Sequence, residues 1–155
     1  MHQPDPTEVL RSLVQRVRAG GVVAFQEMNP LSDGLVSNGP TPLWDQARGW
    51  MHRVITGAGI ETEMGYRIHG ALSEAGLPTP RMESNAPVDG GPGMEAHTYF
   101  VETLRSLMPL AEKLGIVTAE EAGLDTLAER LLEEVVATGA VLKMPDAVSA
   151  FANKM

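Results

Sequence analysis

The sequence has 155 residues, 43% of them hydrophobic and 21% charged, which is typical of a globular domain with a buried core. Its net charge of −8 argues against nucleic acid and anionic membranes as partners, and the lack of cysteine excludes disulfides and thiolate chemistry. No apolar run approaches the roughly 18 residues that span a bilayer, and the first residues contain no signal region. We therefore expect a single domain over residues 1–155 in the cytoplasm.

The first predicted elements are a helix and a strand. Asp5 is a plausible N-cap, with Pro6 at the first helical position. Apolar residues recur at helical spacing as far as Val17, and Gly20 supplies a left-handed turn after the helix. The apolar run Val22–Phe25 then predicts a short strand of the parallel type, buried on both faces. Such a strand needs a neighbour on each side.

The remaining elements follow from apolar spacing, glycines and caps. Residues 28–42 predict a loop at the carboxyl end of the strand, either a lid or substrate loop or a surface insertion. After it we predict a helix from Leu43 to near Gly57, a helix capped by Thr62 and stopped by Gly76, and a strand over Met82–Pro87. The rest comprises a glycine-rich loop at 88–93, a helical segment from Met94 to Leu114 kinked or broken at Pro109, a capping box at Thr118, a helix from Leu124 to Gly139, and a last strand over Ala147–Asn153, with Val141–Lys143 as a weaker candidate.

Five residues are candidates for chemistry or substrate contact. Glu27 ends the predicted strand, where it could accept a proton, orient a substrate group, or simply be a solvated strand end. His97 follows the glycine-rich loop, two residues before Tyr99, and is either a general base or a partly exposed helix residue. Trp44 and Trp50 are six residues apart, so we expect at least one in the core and the other in the wall of an apolar substrate pocket.

Two further kinds of site find little support in the sequence. No two of the four histidines are spaced i, i+4, and none has the carboxylate pattern of zinc hydrolases, so we expect no metal site. The segment Gly90–Gly93 precedes a helix as a phosphate loop would, but it lacks the Gly-Lys-Ser/Thr ending.

The start of the chain resembles the middle of the class I S-adenosylmethionine-dependent methyltransferases of small-molecule type. In that family the fourth strand leads through a His- and Pro-containing turn, a helix and an Arg-Pro-Gly-Gly turn into the fifth strand. Met1–Pro6, the first helix and Ala19–Glu27 follow this pattern, although Arg18–Gly21 has alanine in place of the proline. Ala75–Leu77 before a strand and the last strand, Ala147–Asn153, also agree.

The resemblance implies an α/β fold, namely a partial Rossmann-like methyltransferase fold. It would contain strands five, six and seven, the seventh antiparallel between the others, with flanking helices and a helical lid. The cofactor would be S-adenosylmethionine, with His2 and Gln3 on the cofactor side and Glu27 and the lid facing the methyl acceptor. The family's glycine-rich loop after strand one and acidic end of strand two are absent from this sequence. The chain thus corresponds to the C-terminal, substrate-side half without the N-terminal cofactor-binding half.

Three functions remain open at this point. The first is a truncated or split methyltransferase acting on a small molecule, and inactive without a cofactor-binding half. The second is a cofactor-independent cyclase or isomerase that reuses the substrate pocket. The third is a non-catalytic partner that completes or regulates another methyltransferase half. In each case the exposed edge of the fifth strand predicts a homo-oligomer or a complementing chain.

Overall fold

A computed structural model describes residues 5–29 and 36–155, which divide into two compact units. The sheet unit comprises the described residues up to 29 together with residues 61–86 and 145–155. The helical unit comprises the described residues from 36 to 60 together with residues 87–144. The chain therefore passes from one unit to the other several times.

The structure contains the following helices and strands. In the sheet unit they are α1 (Pro6–Arg16), β1 (Val22–Asn29), α3 (Met64–Glu74), β3 (Arg81–Asn85) and β6 (Asp146–Asn153). In the helical unit they are β2 (Val36–Ser37), α2 (Pro42–Gly57), β4 (Val88–Gly90), α4 (Ala96–Lys113), α5 (Ala119–Ala122), α6 (Leu124–Thr138) and β5 (Val141–Lys143).

The sheet unit is built on three strands in the order β1-β6-β3. The central strand β6 is antiparallel to both neighbours, with Val23 opposite Ala152 on one side and Met82 opposite Ala150 on the other. Because β6 is reversed relative to each of them, β1 and β3 run parallel to one another. Among the described residues, β1 and β3 are the two edge strands.

Two helices cover one face of this sheet. Buried side chains of α1 and α3 pack with those of β1 and β6 in one core, whose members include Leu10, Val14, Val23, Ile68, Leu72, Ala150 and Ala152. The other face of β1 is open, since Val22 is 61% exposed and Met28 39% exposed. The prediction that β1 is buried on both faces is therefore wrong for the described part of the chain, because helices lie on one face only.

Both ends of α1 are fixed by specific hydrogen bonds. The Asp5 carboxylate accepts from the N–H of Glu8 at 2.9 Å, which confirms the predicted N-cap. At the other end, Gly20 adopts a φ of 75°, as predicted for the turn. The Lys154 ammonium donates to the carbonyls of Val14 and Val17 at 3.0 and 2.7 Å, so a residue after β6 closes the C-terminus of α1.

The helical unit packs α2, α4 and α6 around a core of its own. Its buried side chains include Trp44, Val54, Phe100, Leu104, Leu127 and Leu131. A second small antiparallel sheet has the order β2-β5-β4, and its central strand β5 is the candidate over Val141–Lys143. None of the helices in the two described stretches is long and apolar enough to cross a membrane.

The structure corrects four local predictions. Helix α4 continues through Pro109, so of the two predicted outcomes the break is wrong and the kink stays a prediction. Pro109 is exposed, and water can solvate the carbonyl of Arg105, which has no helical N–H partner. The N-cap of α3 is Glu63 rather than Thr62. The segment predicted as a glycine-rich loop begins with β4, and the segment predicted as the loop after β1 includes the end of β1 and all of β2.

Candidate functional site

The carboxyl end of β1 carries the first group of polar residues. Glu27 is half-buried, opposite Val148 of β6, on the same sheet face as Phe25 and Asn29. Asn29 is only 1% exposed, and its Oδ1 accepts from the N–H of Gly65 at 2.9 Å. The end of β1 is thereby joined to the first turn of α3.

Gly65 is the residue that allows α3 to begin so close to the sheet. A Cβ at this position would lie 2.5 Å from Asn29 Oδ1 and 2.9 Å from the Cβ of Val148. Both distances are too short for real contacts, so a side chain here would displace the helix or the strands. The sheet end is consequently a fixed platform for Glu27, whose carboxylate can accept a proton or a hydrogen bond from a bound molecule.

The second group of polar residues lies where the glycine-rich segment enters α4. The Asp89 carboxylate accepts from the N–H of Gly90 at 2.8 Å, of Glu95 at 2.9 Å and of Ala96 at 3.3 Å. Burial by itself raises the pKa of Asp89. The backbone hydrogen bonds from Glu95, Gly90 and Ala96 and the nearby His97 outweigh it and hold that pKa below its ordinary value.

His97 lies in the first turn of α4 and is partly buried. Its Nε2 is 3.2 Å from the Thr98 hydroxyl, while its Nδ1 is buried and has no hydrogen-bond partner among the described residues. Tyr99 is 60% exposed. The two predicted catalytic residues thus belong to different units, Glu27 to the sheet unit and His97 to the helical unit.

Both tryptophans are buried within the helical unit. Trp44 is 2% exposed, donates from Nε1 to the carbonyl of Leu131 at 3.1 Å, and has its ring centroid 5.1 Å from that of Phe100. The Glu134 carboxylate accepts from the N–H groups of Leu43 and Trp44 at 2.8 and 3.0 Å and so caps α2. Trp50 is also buried, and a pocket role for either tryptophan remains a prediction.

The sequence did not predict the roles of three residues in the two groups of polar residues, namely Asn29, Gly65 and Asp89. Asn29 and Gly65 act through a hydrogen bond and a close approach between parts of the chain far apart in sequence. Asp89 had a local signal, because an aspartate beside glycines shortly before a helix is a common cap. Its carboxylate occupies N–H groups that a phosphate would need, which weakens the phosphate-loop interpretation further.

His2 and Gln3, the residues assigned to the cofactor by resemblance, lie outside the described residues. The described glycine-rich segment leading into α4 already binds the carboxylate of Asp89. In the described ranges, no three His, Asp or Glu side chains are grouped so that they could hold a metal ion.

Comparison with known proteins does not assign a family. No protein-family model matches this chain, and no curated protein matches it significantly.

Proposed function

We propose that this chain is the substrate-side portion of a class I S-adenosylmethionine-dependent methyltransferase that acts on a small molecule. The observation that carries the proposal is the strand order β1-β6-β3 with the reversed strand in the centre. The resemblance implies this order for strands five, seven and six. The last strand in the chain takes the central position, which is an uncommon arrangement for three strands because sequential strands usually lie side by side.

The helices and connections give further support. Helix α1 precedes β1 and helix α3 precedes β3, as the resemblance implies, and both contribute to the core on one face of the sheet. The chain enters the helical unit after the carboxyl ends of β1 and β3. In open α/β sheets, ligands bind outside these ends. The resemblance implies a helical lid in the segment after strand five, and in this chain the segment after β1 belongs to the helical unit.

In this proposal the methyl acceptor binds near the end of β1. Bound S-adenosylmethionine would supply an electrophilic methyl group for attack by an O, N or C atom of the acceptor. Glu27 would orient the acceptor or accept its proton. His97, the other candidate base, belongs to the helical unit, and its role stays a prediction. Tyr99, which is exposed in the helical unit, stays a predicted substrate contact, whereas Trp44 and Trp50 are buried in the core of that unit. Positioning supplies much of the rate, so the rigid Asn29–Gly65 connection contributes by fixing the strand end that carries Glu27.

The cofactor site is not complete in this sequence, which lacks the family's glycine-rich loop and acidic strand end. We therefore propose that activity requires a cofactor-binding half supplied by other residues. The purified chain is expected to bind S-adenosylmethionine weakly or not at all, and to act as an enzyme only with that half.

Affinity capture followed by calorimetry tests this proposal. The tagged chain is purified from cells that express it, captured chains are sequenced, and S-adenosylmethionine is titrated into the complex and into the chain alone. We expect a captured chain with a strand, a glycine-rich loop and a helix, and micromolar binding by the complex only. Micromolar binding by the chain alone would overturn the incomplete-site expectation. Conversion of a substrate by the chain alone without S-adenosylmethionine would favour the cyclase or isomerase.

A further inference from the structure

The outer edge of β1 is a row of backbone groups with no strand beside it in the described residues. Just before β1, the carbonyl of Gly21 accepts a hydrogen bond from the N–H of Lys154, the residue that follows β6. The Gly21 carbonyl therefore points toward the β6 side of the sheet. Because successive residues of a strand turn their N–H and C=O groups to opposite sides, the backbone groups that point away from β6 belong to alternate residues. These residues are Val22, Ala24, Gln26 and Met28.

The two edges of this sheet differ in how they are protected. Strand β3 is short, carries Arg81 and Glu83, and lies between Pro80 and Pro87. Charges, short length and flanking prolines are the usual means by which proteins prevent unwanted pairing at a sheet edge. Strand β1 has eight residues and contains neither lysine nor proline. It carries one charge, Glu27, and is followed by Pro30, so among the described residues its edge is longer and less charged than that of β3.

On the open face of the sheet, the exposed large apolar side chains belong to β1, although Met82 of β3 and residues of α1 and α3 are exposed elsewhere in the unit. On the open face, the Arg81 guanidinium lies 5.5 Å from the centre of the Phe151 ring, and Gln26 Nε2 donates to the Ser149 hydroxyl at 3.0 Å. These contacts partly cover Ser149 and Phe151 of β6, while β3 presents polar and charged side chains on this face. Val22 and Met28, at opposite ends of β1, have no comparable cover. On the open face, the apolar side chains that remain exposed thus lie along a single edge strand.

We infer that the isolated chain forms a dimer in which β1 pairs antiparallel with β1 of a second copy. A two-fold axis at Phe25 places Val22 opposite Met28 of the second copy and Ala24 opposite Gln26 of the second copy. This register uses the outward backbone groups of all four residues. It also covers each exposed Val22 with an exposed Met28, so the strand is complementary to itself as a two-fold interface requires.

The same register is electrostatically acceptable. Glu27, the only charged residue of β1, lies opposite Val23 of the second copy, so the two Glu27 carboxylates do not face each other. If the two-fold axis lay at Glu27 instead of Phe25, the two Glu27 residues would be directly opposite each other. Like charges in that position destabilise a sheet. The inference does not depend on the proposed function, although a cofactor-binding half that used this edge would compete with the second copy.

Light scattering on a dilution series of the purified chain tests the dimer. We expect twice the monomer mass of 16.6 kDa. Ala24→Pro removes an outward N–H that the monomer does not use, and should raise the dimer dissociation constant by about tenfold or more while circular dichroism is unchanged. The matched control, Ser84→Pro, removes an outward N–H from the edge of β3 and should leave the dimer intact.

Disulfide trapping tests the register. The chain has no cysteine, and opposite residues in a hydrogen-bonded antiparallel pair are about 5.5 Å apart at Cα, within disulfide range. Val22→Cys with Met28→Cys should form a covalent dimer on mild oxidation, whereas Val22→Cys with Gln26→Cys should not. A folded chain that stays monomeric, or an Ala24→Pro variant that still dimerises as tightly, would overturn the inference.

Discussion

Oδ1 of Asn29 accepts a 2.9 Å hydrogen bond from the backbone N–H of Gly65, and this bond joins the end of β1 to the start of α3. Gly65→Ala should destabilise the chain by about 1–3 kcal/mol, because the new methyl group would overlap Asn29 and Val148. Denaturant unfolding followed by circular dichroism measures the effect. Gly70→Ala in the same helix is the control. Its Cβ would meet nothing within 4 Å, so it should stabilise by about 0.5–1 kcal/mol. Equal effects of the two variants would contradict the close approach at Gly65.

Glu134 of α6 caps α2 in place of Thr41, which makes no side-chain capping bond. Glu134→Ala should lower the free energy of unfolding by about 1–3 kcal/mol, since two backbone N–H groups lose a charged acceptor. Glu133→Ala, at an exposed neighbouring position, should change stability by less than about 0.5 kcal/mol. Thermal unfolding monitored by tryptophan fluorescence distinguishes them. A Glu134 variant as stable as the Glu133 variant would show that the cap contributes nothing.

Asp89 makes the stability of the chain depend on pH. Its folded-state pKa lies below the ordinary value of 3.8, because backbone hydrogen bonds and His97 outweigh the effect of burial. A lowered pKa stabilises the fold at pH values above the unfolded-state pKa. This stabilisation is lost as the pH falls through the folded-state pKa. The stability difference between the natural chain and Asp89→Asn should therefore be constant from about pH 7 to 5 and shrink below about pH 4. Urea unfolding across this range measures it, and a difference that grows on acidification would contradict the assignment.

Glu27 should matter for catalysis in the complete enzyme. If it accepts the acceptor's proton, Glu27→Gln should lower kcat by about 10²–10⁴-fold. Glu83→Gln, an exposed glutamate on β3 of the same sheet, is the matched control and should leave kcat unchanged. A complex whose activity is insensitive to Glu27→Gln would favour the non-catalytic partner.

The elements with local signals were predicted from the sequence. The Asp5 cap, the Thr118 capping box and the helix ending at Gly139 each depend on a few neighbouring residues, and the structure confirms them. The predictions that failed depend on surroundings. The run Val22–Phe25 is continuously apolar, but its outer face is open because, within residues 5–29 and 36–155, helices cover one face of the sheet only. Pro109 is tolerated within α4 because it faces solvent.

The candidate site was predictable only in part for the same reason. Glu27 could be singled out because it follows the apolar run that predicts a strand, although β1 continues to Asn29. The contributions of Asn29 and Gly65 depend on a hydrogen bond across 36 residues of sequence, for which no local pattern exists. Burial of both tryptophans likewise depends on α4 and α6, since Trp44 contacts Phe100 and Leu131.

Transfer of a labelled methyl group from S-adenosylmethionine to a small molecule tests the central claim most directly. The assay uses the chain purified together with its captured cofactor-binding partner, and each component alone. We predict labelled small-molecule product with the complex and none with either component. A complex that contains the cofactor-binding loop and binds S-adenosylmethionine, yet transfers no label to any small molecule in an extract of the same cells, would contradict the claim.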